Sequence, residues 1–443
     1  MRKLVLIVCI GLLVVGTCQG MSLSLHQDSI WTLQKCIERA YSQNIQIRKG
    51  EISNQRFGLY AEQAKAQRLP SVNASVSQNF NWSKSTTTGT SGLSGVNGSN
   101  YSVNSGITIY NSSRISNQIK QADLEIEGGK YSLETTKESI SLSVLNAYLQ
   151  VLYAEEQVKN SQKQIESTVG ELNLAGERLA LQNISVSDYA QVKSQLASEK
   201  LTLANAESQL SIAKINLMQL MELPVSENFN IEHPDLLSAI NQSRIPNVKS
   251  VYETALAIKP QIKNAEINKK IASYDEKIAK ASYFPVLSAS AGLSSAYSSQ
   301  SNDAYFAQVN NGLRPTAGFS LSIPIYQKKQ VKTSVSVAIL GYQDAELSET
   351  DTKNQLRKSI EQSCLDVTSA QIEYEASLEK YKSTQESTAL SEEKFKQGII
   401  NSVDYLVSKT NLIVAESQFL QSKYNLIFSY KILDFYMGIP LSL

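Results

Sequence analysis

The chain is written twice. Residues 38–52, ERAYSQNIQIRKGEI, return as ETALAIKPQIKNAEI at 253–267, and AKAQRLP at 64–70 returns as AKASYFP at 279–285, 215 positions on in both cases. Further along the offset becomes 216: Ile107-Thr-Ile-Tyr110 matches Ile323-Pro-Ile-Tyr326, Asp188-Tyr189 matches Asp404-Tyr405, and Leu223-Pro224 matches Ile439-Pro440. A register held over half the chain means that one structural unit is built two times. The halves meet in residues 224–250, where three of the nine prolines fall. The expected organisation is an export signal over 1–20, a first repeat over 21–228 and a second over 229–443.

The export signal follows from the start of the chain: MRK, then LVLIVCIGLLVVG, then TCQG, a charged head, an apolar middle and a small-residue exit. Removal near Gly20 leaves Cys36 and Cys364, too far apart and too few for a disulfide framework, so both are expected as buried apolar groups. Cleavage before Cys18 with lipid on its thiol is the other way such a signal ends. After the signal no run of 18 apolar residues remains for a membrane-spanning helix. With 42 Lys+Arg against 41 Asp+Glu, no basic excess exists to draw in nucleic acid.

Each half reads as helix, strand, polar loop, strand, very long helix, short turn, long helix. Prolines are absent from Ser71 to Leu223 and from Ile325 to Ile439, so nothing there forces a helix to break. Helical hairpins are expected over 113–222 and 327–438. The helix after the first turn carries Tyr189, Leu196, Leu203, Leu210 and Leu217; its repeat carries Tyr405, Leu412, Phe419, Leu426 and Leu433. Seven-residue spacing kept this long argues for supercoiled helix pairs.

Four short segments alternate instead with period two: 71–82, 101–110, 286–297 and 316–326. The first sets Val72, Ala74, Val76, Phe80 and Trp82 against a Ser/Asn face. The others carry Tyr101, Val103, Ile107 and Ile109, then Leu287, Ala289, Ala291, Leu293 and Tyr297, then Ala317, Phe319, Leu321, Ile323 and Ile325. Their polar faces hold no charge, and each is long enough for the ~9–11 residues of a tilted transmembrane strand. The connections at 83–99 and 298–314 read as long polar loops. Unpaired backbone groups cannot persist in lipid, and four strands are fewer than the ~8 of the smallest single-chain barrels. Several subunits must then share one barrel, apolar faces to lipid and Ser/Asn faces to a wet lumen. Trp82, Tyr101 and Tyr297 would mark one interface, Tyr110 and Tyr326 the other.

At this point the residues resemble the TolC-like outer-membrane efflux family: NIQIRKGE and KPQIKNAE, the strand-opening RLP and YFP, and the turns ERLALQNISVSDY and EKFKQGIINSVDY. The resemblance implies a mainly helical fold with a small membrane β portion, duplicated long antiparallel coiled-coil helices and a homotrimer sharing a 12-stranded barrel in the outer membrane of a Gram-negative-type cell. It also implies a passive efflux or type I secretion conduit running into the periplasm and docked on a periplasmic adaptor protein and an inner-membrane pump. The contrasting class is a secreted coiled-coil scaffold of the envelope without a pore. Neither is an enzyme: His26 and His233 have no metal-ligand spacing, no nucleophile or phosphate-loop motif occurs, and no cofactor is implied.

The resemblance places a periplasmic gate at the two turns. Ser185-Val-Ser-Asp188 and Asn401-Ser-Val-Asp404 both fit an N-cap followed by a carboxylate; Asp404, and Asp188 beside it, also fit an acidic ring that favours cations. Val407 and Ile400 stand where the family has a second acid and a gate arginine, which leaves closure to Phe395, Ile399 and Ile400. Adaptor contact is implied for Leu181, Gln182 and Asn183 and for Gly398 with Ile399; Gln182 stands where the other turn has glycine.

Overall fold

The computed structural model describes residues 30–85, 92–224, 229–234 and 247–443; the expected export signal and Cys18 lie outside them. The first half contains α1 (Leu33–Gln43), α2 (Ile45–Ala66), β1 (Ser71–Ser85), β2 (Gly92–Tyr110), α3 (Arg114–Ala180) and α4 (Val186–Leu220). The second contains α5 (Val248–Ile258), α6 (Pro260–Ala281), β3 (Val286–Ser298), α7 (Tyr305–Asn311), β4 (Arg314–Ser322), α8 (Gln330–Lys396) and α9 (Ser402–Tyr436). The fold is thus mainly helical, duplicated, with four strands. Both α3 and α8 have 67 residues, roughly 100 Å at 1.5 Å per residue.

The same local devices recur in each half. Asn44 separates α1 from α2, its Oδ1 accepting the Gln46 N–H at 2.9 Å; its counterpart Lys259 separates α5 from α6 ahead of Pro260 at the first helical position. Strand becomes long helix through paired left-handed residues, Ser112 and Ser113 in one half and Lys328 and Lys329 in the other. Four non-glycine residues in that region, at two equivalent places, mark strain of about 1–3 kcal/mol each where sheet meets helices.

The strands form one antiparallel sheet in the order β1-β2-β3-β4. The register puts all four apolar sets on one face: Val72 opposite Ser105, Ala74 opposite Val103, Val103 opposite Leu293, Ala289 opposite Phe319 and Leu287 opposite Leu321. A bulge between Thr108 and Tyr110 leaves Ile109, expected in this row, without a partner on β3 and brings Tyr110 opposite Leu287 in its place. Val76, Trp82 and Phe319 stay 72%, 68% and 78% exposed on the protomer. Ser71, Asn73, Ser75 and Ser77 share the other face with Ser102, Asn104, Ser288, Ser290 and Ser320. The outer edges of β1 and β4 have no partner among the described residues.

Three expectations are corrected. β2 begins at Gly92, nine residues before the alternation shows, because pairing from Ser85↔Gly92 onward carries a Gly/Ser-rich stretch that propensity alone reads as loop. β4 runs from Arg314 to Ser322, which adds a charge to the polar face and leaves Ile323, Ile325 and Tyr326 beyond the strand; Pro324 has no N–H to continue the ladder. The connection at 298–314 contains α7 rather than loop alone.

Among the described residues, a smaller apolar core packs Ala61 and Ala64 against Ile119 and Ala122, and two larger ones join the short helices to the long ones. One joins Cys36 and Ile37 to Val144, Leu145, Leu149 and Leu217; the other joins Val251 and Ala255 to Leu356, Ile360, Cys364 and Leu433. Cys36 and Cys364 are free and buried in separate cores, and burial pushes the Cys36 thiol up to about 12. Phe229 and Ile231 pack in the first core, and Trp31 pairs with Ile231. The segment that opens the expected second repeat at 229 thus packs against helices of both halves. Tyr148 fixes it, donating its hydroxyl to Glu232 O at 2.8 Å.

Along α4 the heptad row pairs with Val192, Glu199, Ala206 and Ala213, three residues on in each turn, and Val192, Leu196, Ala206 and Leu217 are buried. Ala190, Ala197 and Ala204 are exposed on the protomer. Apart from the buried Glu199, this 3-4 alternation has the apolar pattern of a coiled hairpin.

Candidate functional site at the hairpin tips

The two hairpins end in turns of the same construction. In the first, Gln182 takes φ 57°, and Asn183 N–H closes on Arg178 O at 2.8 Å; in the second, Gly398 takes φ 75°, and Ile399 N–H closes on Lys394 O at 2.9 Å. This is the Schellman closure. Gln182 therefore keeps the backbone that Gly398 adopts freely, at a cost of about 1–2 kcal/mol for the Cβ. Leu181 and Ile399 project from the turns at 70% and 65% exposure, beside exposed Gln182, Asn183 and Gly398.

The two candidate carboxylates differ. Asp188 completes a capping box: the Ser185 hydroxyl accepts the Asp188 N–H at 3.0 Å, and the Asp188 carboxylate accepts the Ser185 N–H at 3.2 Å. Its other oxygen accepts the hydroxyl of Ser402 at 2.6 Å, which ties the first tip to the second. The Ser402 bond, then the Ser185 bonds, hold the carboxyl below the usual aspartate value. At the second turn Asn401 alone caps, accepting the Asp404 N–H at 2.8 Å. The Asp404 side chain has no hydrogen bond or ion pair among the described residues, so the reciprocal cap expected there is not made.

Phe395, Ile399 and Ile400 do not gather into one apolar plug. Phe395 stacks on Tyr405 at 5.0 Å and 5° with the Arg178 guanidinium 5.9 Å from its ring, whereas Ile399 faces outward. Arg178 also donates to Lys396 O at 2.8 Å, a second tie between tips. Ile400, Phe395, Asp188 and Tyr405 line a groove of about 720 Å³ between the two turns.

Sequence reading missed what lies behind the tips. Lys409 is 6% exposed, and its ammonium donates to Thr168 Oγ1 at 2.6 Å and to Glu171 at 2.8 Å, with Glu199 3.9 Å away. Tyr405 donates its hydroxyl to the same Glu171 at 2.8 Å; burial first, then Glu171, raise that phenol above its ordinary value. Further up, Glu416 bonds Gln164, Gln157 donates to Ser417 at 3.1 Å, and Lys423 reaches Glu156 at 3.3 Å. The signal was present: Ser402, Lys409, Glu416 and Lys423 recur every seven residues. From the tips up to Lys423, hairpin thus meets hairpin through a polar row, and beyond it Tyr424 and Ile427 of α9 join the first apolar core.

A duplicated body of two long helical hairpins carrying a four-stranded sheet with one apolar face defines a class of membrane-inserted helical channels. The Outer membrane efflux protein family model matches residues 36–222 and 251–438, and the chain belongs to that family. It is an outer-membrane channel protein extending into the periplasm, in a family of conduits rather than catalysts. Comparison with curated proteins gives no match by sequence. Among solved structures, the Campylobacter jejuni CmeC outer membrane channel superposes with a TM-score of 0.76 at 16% identity, over 94% of this chain and 90% of that one. A Pseudomonas aeruginosa membrane protein gives 0.75 at 15%, over 92% and 93%. The Neisseria gonorrhoeae MtrE outer membrane channel, in its open state, gives 0.74 at 17%, over 92% and 88%.

Proposed function

We propose that the chain is the passive outer-membrane conduit of a tripartite efflux or type I secretion system, acting as a homotrimer docked on a periplasmic adaptor and an inner-membrane pump. The observation that carries this reading is the sheet: one continuous apolar face, one hydroxyl- and amide-lined face, and two unpartnered edges. In lipid those edges must be paired, and twelve strands from three chains pair them all. Val72, Ala74, Val76, Phe80, Trp82, Leu287, Leu293, Phe319 and Leu321 then meet lipid, and Ile323 lies just below the strand. The tips, with the 720 Å³ groove between them, supply the adaptor contact through Leu181, Gln182, Asn183 and Gly398.

The test is a heat-modifiable trimer in detergent that conducts in planar bilayers. In it, Ser77→Cys and Asn79→Cys are expected to react with a water-soluble thiol reagent and Val76→Cys to resist it; Cys36 and Cys364 are buried and add little background. A monomer that stays soluble without detergent would end the proposal.

Selectivity is assigned to Asp404. Its carboxylate is unengaged within the protomer, and three copies around an axis attract cations and repel anions. Asp404→Ala is expected to lower the cation-to-anion permeability ratio with little change in thermal stability, because Asn401 keeps the cap. An unchanged reversal potential under a salt gradient would reduce Asp404 to a solvated helix-start charge.

A further inference from the structure

Among the polar residues on the apolar face of the sheet, which include Asn97 and Ser105, three lie close together: Gln78 on β1, Ser99 on β2 and Ser295 on β3. Each is accounted for by what lies on top. Ser99 donates to Gln78, and Ser295 donates to the Val309 carbonyl of α7 at 2.5 Å. Ser99 and Ser295 are only 4% and 8% exposed, although both belong to a face otherwise open on the protomer.

α7 is clamped to that face at several points. The hydroxyls of Tyr305 and Tyr101 are hydrogen-bonded, and the Tyr305 ring lies 4.7 Å from that of Tyr297. Gln308 Oε1 accepts the Ser298 N–H at 3.0 Å. Tyr101 and Tyr297 share the apolar row with Ser99 and Ser295 by register. The chain returns through Gly312, where a Cβ would stand 2.6 Å from the Gln308 carbonyl. The β3–β4 connection is therefore strapped against the outer wall of the sheet and not folded across the polar face. Its outward side presents Phe306 at 83% exposure, Leu313 at 54% and Tyr305 at 38%.

Height matters as much as side. Between Tyr110 at the base of β2 and Tyr101 beneath α7, strand rise of ~3.3 Å per residue and a tilt of ~40° give about 23 Å along the membrane normal. The apolar band of an outer-membrane barrel is ~25 Å tall, with aromatic girdles at both rims. Trp82, opposite Gly95, lies six residues beyond Val76, the partner of Tyr101, and so stands above the girdle in which it was expected.

We propose that α7 is an interfacial anchor: a short strap seated at the outer-leaflet boundary, with Phe306 and Leu313 entering the headgroup–acyl interface and Tyr305 bridging to the wall. The assignment rests on the apolar sheet face being the lipid face. It sets how deep the sheet sits, and it leaves the outer mouth to the β1–β2 hairpin, whose pairing continues past the end of β3.

The experiment places a nitroxide at Phe306→Cys in the full-length trimer, reconstituted in vesicles of phosphatidylethanolamine and phosphatidylglycerol, with Val76→Cys and Ser77→Cys as references. The expected result is a Phe306 label relaxed more by oxygen than by a water-soluble nickel chelate, at a depth close to that of the Val76 label, whose strand partner Tyr101 lies beneath α7. A nickel-dominated label like that at Ser77 puts α7 in water and overturns the proposal; so does a label shielded from both, which means that a neighbouring chain covers it. If the Val76 label itself meets nickel, the lipid-face reading fails first, and the anchor with it. Phe306 is exposed, so its replacement leaves the trimer intact on a gel.

Discussion

Truncating Glu138 to alanine is expected to destabilise the helical body by about 3–5 kcal/mol, whereas Lys259→Met, at the other end of the same ion pair, costs little. The asymmetry comes from burial. Lys259 stands where the first repeat has Asn44; its side chain is 3% exposed, and its ammonium lies 3.1 Å from Glu138 and 3.1 Å from the centre of the Phe435 ring. The Glu138 side chain is 31% exposed and reaches water without its partner. Removing Glu138 strands a buried cation; removing Lys259 strands a carboxylate that can rehydrate, and methionine refills the apolar volume.

The titration directions agree. Burial lowers Lys259, with Glu138 opposing, and burial raises Glu138, with Lys259 opposing. Both charged forms are disfavoured by the site, so the pair is held together by the cost of separating it. The double variant is accordingly expected to recover most of the loss. Lys259 titrates below its unfolded value, so the unfolded chain binds more protons across the interval between the two, and stability rises with pH there. The Glu138→Ala deficit should shrink on that alkaline side as the stranded amine becomes neutral. Urea unfolding in detergent, read from Trp31 against the first core, measures it. Equal losses in the two single variants would show that packing, not charge, governs the position.

What could be read in advance follows from how local each signal is. The duplication, the four strand faces and the two helical hairpins are written as periodicities, and burial acts on every residue of a period. α7 has no such signal: it is seven residues long, its N-cap Ala304 offers no side-chain bond, and it exists because Ser295, Tyr101 and Tyr297 hold it. The start of β2 was hidden for the same reason, since glycine and serine form strand only where a partner is supplied. Lys259 at the site of Asn44 broke the repeat, which was visible, but the partner that buries it lies on α3, far away in sequence. The polar heptad on α9 is periodic too, yet periodicity alone does not give it a partner. Charges at helical spacing do not say whether another helix lies across them.

That polar seam leads to the largest effect expected at the tips. Opening between hairpins must part Ser402 from Asp188 and Lys409 from Thr168 and Glu171, while the apolar seams inside each hairpin stay closed. Ser402→Ala removes one tie and spares the Ser185 capping box; Ser402 is buried but the half-buried Asp188 carboxylate rehydrates, so the bond contributes about 0.5–1.5 kcal/mol net, and each protomer shifts toward opening by about 2- to 10-fold. Lys409→Met acts more strongly. It leaves buried Glu199 and half-buried Glu171 without an ammonium, each already with one unpartnered oxygen, a penalty of about 3–5 kcal/mol that separation relieves by letting water in. Closed-state dwell times in planar bilayers are therefore expected to shorten modestly for Ser402→Ala and by orders of magnitude for Lys409→Met, with Asp404→Ala altering selectivity alone. Because Asp188 is held below its ordinary value, its tie is complete above an unfolded pKa of about 3.9 and is lost only as pH falls through the lower, folded value. The Asp188 tie should then be constant between neutral pH and about 5. If Lys409→Met trimers assemble normally and stay as closed as the parent, the tips are held by contacts between chains, and the polar seam within one chain has no part in the gate.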